Sequence, residues 1–404
     1  MHQYNASISY DSRLFKEDIL GSIAFARANA KSGIISNDDF VEIERGLHEV
    51  LKEWEGGHFV IKSNDEDIHT ANERRLGEII GKNIAGKLHT GRSRNEQVVC
   101  DMRMWLRERI REIDSQLVAF VQRLPYAWIY MQRAQPIRLS QWLMSFGFAF
   151  MNDVERLREC LKRVNKSPLG CGALAGNVFN IDREMMAKEL GLFMQHISRW
   201  AEDLIIYSTT EFGFISIANA YSTGSSLMPQ KHNPDGLELL RGKAGRAFGH
   251  MSGFMMTQKG LPSTYNKDLQ ESWEPMLDHV KTISDSIQIA NGILSTLTIR
   301  PERMLAALDP FMLATDVAER LTKLGVPFRE THHIAGRCVA KSEELGIPMN
   351  ELTLEQLKAI DSRFPDDIKD IFKYETSVEA KSARGGTSRS SILEQIKVLK
   401  AMLG

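Results

Sequence analysis

The sequence predicts an all-α protein built around a central bundle of long helices. Proline is scarce, with 12 among 404 residues, and long stretches contain none, so long uninterrupted helices are permitted. Apolar residues recur at steps of three and four, as expected where one face of a helix is buried. Sustained alternation with β-branched residues is rare, so a large sheet is not expected.

Four segments are predicted to form the long helices of the bundle. The first carries an apolar stripe over residues 102–120, and the second covers 137–164 with Pro136 near its first turn. The third, over 237–257, contains no proline, and the fourth has an apolar stripe over 277–294. Helices of this length, each with one apolar face, are typical of a helix bundle.

Shorter elements flank the bundle, and three domains are predicted. Residues 1–80 show short helical segments and loops, residues 81–299 contain the long helices, and residues 300–404 alternate short helices with turn signals. The prediction is therefore an N-terminal helical domain, a central long-helix domain and a C-terminal helical domain.

Charge and cysteine content exclude several classes of protein. Lys and Arg total 51 against 52 Asp and Glu, so the basic excess of a dedicated nucleic-acid binder is absent. Four scattered cysteines are too few for a disulfide framework and lack zinc-site spacing. Neither a signal peptide nor an apolar stretch of about 20 residues is visible. We expect a cytoplasmic protein without nucleic-acid or membrane partners.

The segment 222–234 is the most informative polar stretch. It combines a flexible Gly/Ser start, several hydroxyl groups, the ammonium of Lys231 and the amide of Asn233, and it lies between two predicted helices. Such a loop can close over an anionic ligand, and a serine flanked by backbone donors can be activated as a base. An ordinary polar loop between helices is the alternative.

A second polar group lies at 92–95. Two carboxylates need cations and hydroxyl groups to hold them, and Arg92 and Arg94 with Ser93 and Asn95 supply a compact set. The alternative is that both arginines are solvated surface charges. His69, taken alone, is more often a structural histidine than a catalytic one.

These stretches resemble known motifs. Residues 224–233, GSSLMPQKHN, resemble the GSSxMPxKxN signature of the fumarase/aspartase superfamily, whose members eliminate fumarate from succinyl-containing substrates. Residues 67–75, DIHTANERR, and 89–95, HTGRSRN, are similar to motifs of the argininosuccinate lyase/δ-crystallin family. Further similar runs lie at 132–136, 261–270, 329–333 and 384–388.

The resemblance implies a fold and an activity. It implies a three-domain lyase fold whose long helices form a tetrameric core, with each active site drawn from three subunits of a homotetramer. The implied reaction is the reversible elimination of argininosuccinate to L-arginine and fumarate. It requires neither a metal nor an organic cofactor.

The resemblance also assigns roles to residues of this chain. Ser225 matches the proposed catalytic base, Lys231 and Asn233 match groups that stabilise the aci-carboxylate, and Glu238 matches a carboxylate that orients a catalytic histidine. Tyr265 and Gln270 match further pocket residues. By their own chemistry Tyr265, Lys267 and Gln270 would suit the guanidinium end of the substrate, with ordinary surface residues as the alternative. The substrate-binding set is predicted to be Ser7, Asp11, His69, Ser93, Arg94, Asn95, Asn233, Tyr265 and Gln270.

The chain departs from the family pattern at several points. Tyr130 stands where the family has its catalytic histidine, and the chain passes directly from Phe193 to Met194 where the family has an additional segment. Trp273 replaces a lysine, and the leading KLWGGRF run is missing. Since tyrosine, with a pKa near 10, is a poor substitute for imidazole at neutral pH, we expect a weak or inactive enzyme.

Two alternatives to argininosuccinate lyase activity remain open from the sequence. Another lyase of the superfamily, such as adenylosuccinate lyase or fumarase, would explain the loop at 222–234 but not the motifs at 90–95 and 331–333. A structural, crystallin-like protein would explain the replaced histidine and the missing segment.

Overall fold

The computed structural model describes residues 6–90, 92–123, 135–165, 190–224, 232–261 and 266–403. Within these ranges the regular structure is helical apart from four strands of two residues each. The all-α fold predicted from the sequence is therefore confirmed. In the same ranges, no helix combines the length and the apolar character that crossing a membrane demands.

The N-terminal part of the chain folds into short and medium helices. They are α1 (Ile8–Asp11), α2 (Phe15–Lys31), α3 (Asn37–Glu55), α4 (Ile68–Ile80) and α5 (Lys82–Ala85). A capping box starts α3, because Ser36 Oγ accepts from the backbone N–H of Asp39 at 3.1 Å and Asp39 Oδ2 accepts from the N–H of Ser36 at 3.3 Å. The apolar faces of α2, α3 and α4 form a core with buried Ile19, Ile43 and Leu76.

Five long helices follow. They are α6 (Arg94–Gln122), α7 (Leu139–Val164), α8 (Leu190–Ser208), α9 (Asp235–Gln258) and α10 (Trp273–Thr296). Four of them coincide, within a few residues at most ends, with the long helices predicted from apolar periodicity. The fifth, α8, was not predicted.

The C-terminal part returns to shorter helices, as the turn signals predicted. They are α11 (Pro301–Ala306), α12 (Ala314–Lys323), α13 (Phe328–Leu345), α14 (Leu354–Ile360), α15 (Tyr374–Ala380) and α16 (Arg389–Leu403). Their core includes Val317, Leu321 and Ile334, each fully buried. Gly346 ends α13 in the left-handed conformation with φ of 64°, which glycine adopts without strain.

The strands form two minimal antiparallel pairs. The strand β1 (Ile215–Ser216) pairs with β4 (Thr298–Ile299), and β2 (Thr223–Gly224) pairs with β3 (His232–Asn233). The second pair joins the two sides of the segment 225–231.

The chain divides into two compact units. One contains residues 1–116, 153–195 and 243–287, and the other contains residues 117–152, 196–242 and 288–404. Each of the helices α6 to α10 contributes residues to both units. The three-domain division, at residues 80 and 299, stays a prediction.

A buried carboxyl group anchors the N-terminal segment. Asp11 Oδ1 accepts from the backbone N–H of Ile68 at 3.1 Å, and Ser7 Oγ donates to Asp11 Oδ2 at 2.6 Å. Asp11 has no exposed surface. Burial raises its pKa to about 7, with a further increase from the neighbouring Asp67 and Asp18, while the bonds from Ser7 and Ile68 oppose the rise.

The contact between α3 and α4 yields a prediction on stability. A methyl group at Gly46 would lie 2.6 Å from Ile80 Cγ2 and 2.7 Å from Leu76 Cδ1. Gly46→Ala should therefore lower the free energy of unfolding by about 1–3 kcal/mol in urea denaturation, although alanine is the better helix former. The control is Gly336→Ala in α13, where nothing lies within 4 Å. A gain of up to about 1 kcal/mol is expected there, and a similar gain at Gly46 would contradict the close packing.

The raised pKa of Asp11 yields a prediction on pH. Between its ordinary pKa of 3.8 and its value of about 7, the native state holds a proton that the unfolded chain has lost. Stability from this group is therefore fully present below about pH 4 and disappears as the pH rises through 7. The asparagine of Asp11→Asn does not titrate, so this variant does not lose stability in this way. Its free energy of unfolding relative to that of the parent should therefore rise by roughly 2–3 kcal/mol from pH 5 to pH 8.

Urea denaturation at a series of pH values measures this difference. Asp38→Asn, at an exposed aspartate in the first turn of α3, controls for the loss of one carboxyl group. A difference between Asp11→Asn and the parent that stays constant from pH 5 to pH 8 would show that Asp11 does not hold the proton.

Candidate active site

The predicted site residues divide into three sets. Ser225, Lys231 and Tyr265 lie outside the described residues, as does Tyr130. Two further residues, Asn233 and Glu238, belong to the second unit. The first unit contains the remaining seven, which are Ser7, Asp11, His69, Ser93, Arg94, Asn95 and Gln270.

The N-terminus of α4 positions His69. Asp67 is the N-cap, and its Oδ1 accepts from the backbone N–H and the hydroxyl of Thr70, both at 2.6 Å. This cap fixes the first helical turn, in which His69 points inward and is 1% exposed. Its Nδ1 lies 2.8 Å from Oδ1 of Asp18, on α2.

The N-terminal segment is tied to the residue that precedes this cap. The backbone N–H groups of Ser7 and Ile8 donate to the carbonyl of Glu66 at 2.9 and 3.2 Å. With the Asp11 bond to Ile68, these contacts place Ser7 and Asp11 beside the start of α4. The structure therefore brings together two regions, residues 7–11 and 67–69, that are nearly 60 positions apart in the sequence.

The start of α6 carries the next group of predicted residues. Ser93 precedes α6, its backbone N–H donates to Glu96 Oε1 at 2.8 Å, and its Oγ accepts from the N–H of Asn95 at 3.3 Å. Glu96, which stands where the family has aspartate, thus serves the helix start. The N-terminus of a 29-residue helix favours an anion, because its first N–H groups and the helix dipole both point towards it.

Arg94 links the start of α6 to α4. Its guanidinium lies 3.9 Å from Asp67 Oδ1 and 3.5 Å from Glu73 Oε2. Among the described residues, the Nη1 group of Arg94 has no hydrogen-bond partner. Arg94 therefore keeps donor capacity for a ligand while staying close to two carboxylates.

The structure gives Arg92 a different role from the one expected. It is buried, donates from Nη1 to Ser22 Oγ at 2.9 Å, and stacks over the ring of Phe25 at 5.2 Å. Burial lowers the pKa of this guanidinium. The expectation that Arg92 and Arg94 together hold a carboxylate is therefore wrong for Arg92, which packs in the interior.

Gln270 reaches the same unit from a short 3-10 helix, Lys267–Ser272. Its Nε2 donates to the hydroxyl of Tyr10 at 3.4 Å, and Tyr10 belongs to α1 between Ser7 and Asp11. Trp273, in place of the family's lysine, begins α10 and is 8% exposed. A mostly buried indole thus occupies that position.

In the second unit, β2 and β3 hold the ends of the signature loop together. Thr223 pairs with Asn233 and Gly224 with His232. Asp235, in the first turn of α9, accepts from both the backbone N–H and the hydroxyl of Thr223 at 2.6 Å. Gly224 and His232, which flank the segment containing Ser225 and Lys231, are therefore neighbours in the hairpin.

Asn233 and Glu238 lie on the C-terminal side of this hairpin. Asn233 lines a polar cavity of about 410 Å³ that also contacts Ser222, His232, Arg300 and Arg303. Glu238 lies on α9, where its backbone N–H donates to the carbonyl of Pro234 at 3.0 Å, and its side chain is exposed.

Sequence reasoning missed three buried polar residues beside His69. They are Asp18 on α2 and Gln97 and Asp101 on α6, each 1–2% exposed. Asp18 directly precedes Ile19 on the apolar face of α2, so the available signal was a charged residue at the edge of an apolar stripe. Asp18, His69 and Asp101 offer ligand atoms within 4.8 Å of one another, which is compatible in spacing with a metal ion.

Two known protein families match this sequence. The family described as Lyase matches residues 1–195 and 185–249, and the family described as Argininosuccinate lyase C-terminal matches residues 311–379. The two Lyase segments meet at 185–195. The segment that the chain lacks relative to the family pattern, between Phe193 and Met194, falls within this range.

Similar proteins cover the whole chain. A probable argininosuccinate lyase of Schizosaccharomyces pombe is 51% identical over 440 aligned positions, which cover 100% of this chain and 96% of the relative. An argininosuccinate lyase of Saccharomyces paradoxus is 49% identical, with the same coverage. Since the chain has 404 residues, an alignment of 440 positions contains at least 36 at which this chain has no residue.

Among solved structures, EDDS lyase shares the fold. A variant of that enzyme with bound fumarate superimposes with a TM-score of 0.80 at 23% identity, covering 100% of this chain and 88% of the other. At this identity the likeness concerns the fold alone. The full-length identity of about half to the yeast enzymes is what decides the family, and the chain belongs to the argininosuccinate lyase family of carbon–nitrogen lyases.

Proposed function

We propose that the chain catalyses the reversible elimination of argininosuccinate to L-arginine and fumarate. The observation that carries this proposal is the convergence of Ser7, Asp11, His69 and the start of α6 around the first turn of α4. These are the positions that the family motifs assign to substrate binding. Another lyase of the superfamily does not account for the full-length similarity as simply, and the relatives that share it are named argininosuccinate lyases, which favours an enzyme over a crystallin-like protein.

The chemistry of the elimination assigns roles to the loop residues. Ser225 removes a proton from the carbon beside a carboxylate of the succinyl group, and Lys231 and Asn233 stabilise the aci-carboxylate that results. The electron pair then forms the carbon–carbon double bond as the carbon–nitrogen bond breaks. The departing nitrogen takes up a proton and leaves as the guanidinium group of arginine. These steps use acid–base chemistry, so we propose no metal or organic cofactor.

Substrate binding is proposed to use the first unit. Ser93 and Asn95, at the start of α6, and Arg94 would meet a carboxylate, because helix N-termini and guanidinium groups both favour anions. Tyr265 and Gln270 would contact the guanidinium end of the substrate. In the family pattern, the carboxylate that Glu238 matches orients a catalytic histidine. Tyr130 occupies the position of that histidine in this chain, so we expect turnover to be slow.

We further propose that the chain forms a homotetramer in the cytoplasm, with each site completed by three subunits. Exposed apolar side chains on α9 support the assembly, namely Leu239, Phe248, Met255 and Met256, which are 50–64% exposed. Phe248 and Met255, seven positions apart, share one face of α9, and Leu239 lies on the opposite face. Exposed apolar side chains on both faces of one helix suit a helix that packs against partner subunits. Among the described residues, Cys100, Cys160 and Cys338 are buried thiols, which fits a reducing compartment.

The first test of the proposal is fumarate release by Ser225→Ala. The parent chain should release fumarate from argininosuccinate more slowly than ordinary enzyme rates of about 1–10³ s⁻¹. Because the hydroxyl acts mainly in the transition state, the substitution should lower kcat by at least about 10²-fold and leave KM within a few fold. Absorbance of fumarate measures both constants.

The matched control is Ser295→Ala. Ser295 is an exposed residue of α10 whose hydroxyl donates to the carbonyl of Gly292 at 2.9 Å, so its loss should leave kcat nearly unchanged. Equal activity of Ser225→Ala and the parent would remove Ser225 from the mechanism. Failure of the parent to release fumarate from argininosuccinate, with Tyr130→His equally inactive, would exclude the proposed reaction.

The second test concerns assembly. Light scattering should give the parent a mass close to four times 45.8 kDa, and Leu239→Glu should shift it to smaller species, because a buried unpaired carboxylate opposes association. Leu393→Glu on α16, where the leucine is 54% exposed, is the matched control and should stay tetrameric. A monomeric parent at micromolar concentration would refute the assembly.

A further inference from the structure

A buried polar cluster lies where α2, α4 and α6 meet. It comprises Asp18, His69, Asn72, Gln97 and Asp101, each at most 2% exposed. Side chains with this little solvent contact depend on one another for most of their hydrogen bonds, since an unpaired buried polar group costs about 1–3 kcal/mol.

Asp18 is the centre of the cluster. Its Oδ1 lies 2.8 Å from His69 Nδ1 and accepts from Gln97 Nε2 at 2.5 Å, and its Oδ2 accepts from Asn72 Nδ2 at 2.7 Å. Asp18 already accepts hydrogen bonds from the amide N–H groups of Asn72 and Gln97, and this accepting role assigns the proton of His69 to Nδ1.

Asp101 provides a second carboxyl group beside His69. Its Oδ2 lies 3.5 Å from His69 Nδ1. Burial raises the pKa of Asp101 well above its ordinary value, and the charge of Asp18 raises it further, while Arg92 opposes the rise. Space for its carboxyl group depends on Gly21, because a methyl group there would lie 3.1 Å from Asp101 Oδ1.

A second observation points to a ligand beside this cluster. Nε2 of His69 is buried and has no hydrogen-bond partner among the described residues. With the proton on Nδ1, this nitrogen offers a lone pair to an N–H donor. Argininosuccinate carries such donors on its guanidinium and ammonium groups.

We propose that Asp18 is a positioning residue of the active site, which fixes the tautomer and orientation of His69 so that Nε2 accepts a hydrogen bond from the substrate. The inference rests on the proposed function and adds Asp18, held by Asn72 and Gln97, to the site. A cation bound by Asp18, His69 and Asp101 is the competing use of the cluster. It would have to displace three N–H donors from Asp18 in the neighbourhood of the Arg92 guanidinium.

The substitution Asp18→Asn has a defined structural consequence. Asn72 cannot turn its amide freely, because its Oδ1 accepts from Trp54 Nε1 at 2.8 Å. The new amide must therefore direct its oxygen to Asn72 and its NH₂ group to His69 and Gln97. Gln97 can rotate its amide in response, since its Oε1 has no partner among the described residues. His69 must then accept on Nδ1 and carry its proton on Nε2.

The experiment measures this tautomer and the kinetics together. Nitrogen-15 NMR of chain labelled at histidine, with His69 assigned through His69→Gln, should show the Nδ1–H tautomer in the parent and the Nε2–H tautomer in Asp18→Asn. Argininosuccinate should shift the Nε2 resonance of the parent. Since the substrate then meets a donor instead of an acceptor, kcat should fall by about 10²-fold in Asp18→Asn.

Asp153→Asn is the matched control. Asp153 is equally buried, lies on α7 and pairs with Arg156 at 2.6 Å, so its substitution should leave the His69 tautomer and kcat unchanged even if it lowers stability. If Asp18→Asn fails to fold, the spectrum of the parent chain still tests the proposal, because an Nε2–H tautomer of His69 in the parent would overturn it.

Other outcomes separate the inference from the proposed function. If the chain releases fumarate but argininosuccinate does not shift the Nε2 resonance of His69, the inference about Asp18 is overturned and the proposed function stands. Loss of a tightly bound Zn²⁺ in Asp18→Asn would also overturn it, in favour of a cation site. The expected change of tautomer without fumarate release would support the Asp18–His69 arrangement and remove the proposed function.

Discussion

The first turn of α4 is buried with its polar groups, and the surrounding elements are arranged to satisfy them. Asp67 caps the helix, Asp11 accepts a hydrogen bond from the backbone N–H of Ile68, and Asp18 is hydrogen-bonded to His69 Nδ1. Any of these groups left unpaired in the interior would cost about 1–3 kcal/mol. The N-terminal segment, α2 and α6 must therefore supply α4 with polar partners as well as apolar contacts. The candidate substrate contacts lie on these same elements.

Burial of several carboxyl groups requires that some of them remain neutral. The pKa of Asp11 rises to about 7 and that of Asp101 rises well above its ordinary value, in both cases chiefly through burial. The raised pKa values show that this interior disfavours negative charge. A substrate that brings a guanidinium group would favour ionised carboxylates, whereas its carboxylates would favour neutral ones. Protonation and binding are therefore coupled in this region.

The sequence predicted the long helices because each buries one apolar stripe along its length, as α6 and α10 do. It missed α8, Leu190–Ser208, whose start coincides with the junction between Phe193 and Met194. It named His69 but not Asp18, because a polar residue next to a stripe resembles an ordinary surface position until the partner helices are placed. The wrong assignment of Arg92 has the same cause, since exposure depends on tertiary packing that a local motif does not contain.

The missing segment and the replaced histidine affect different parts of the molecule. Downstream of the junction, Met194, Ile197 and Trp200 are fully buried, and Trp200 packs edge-on against Phe120 at 5.3 Å. The helix that follows the junction therefore still supplies core contacts. The hydrogen bonds among Asp18, His69, Asn72 and Gln97 on α2, α4 and α6 are likewise formed in a chain that lacks the segment. Retained binding of argininosuccinate together with slow turnover would therefore separate an impaired enzyme from a purely structural relative.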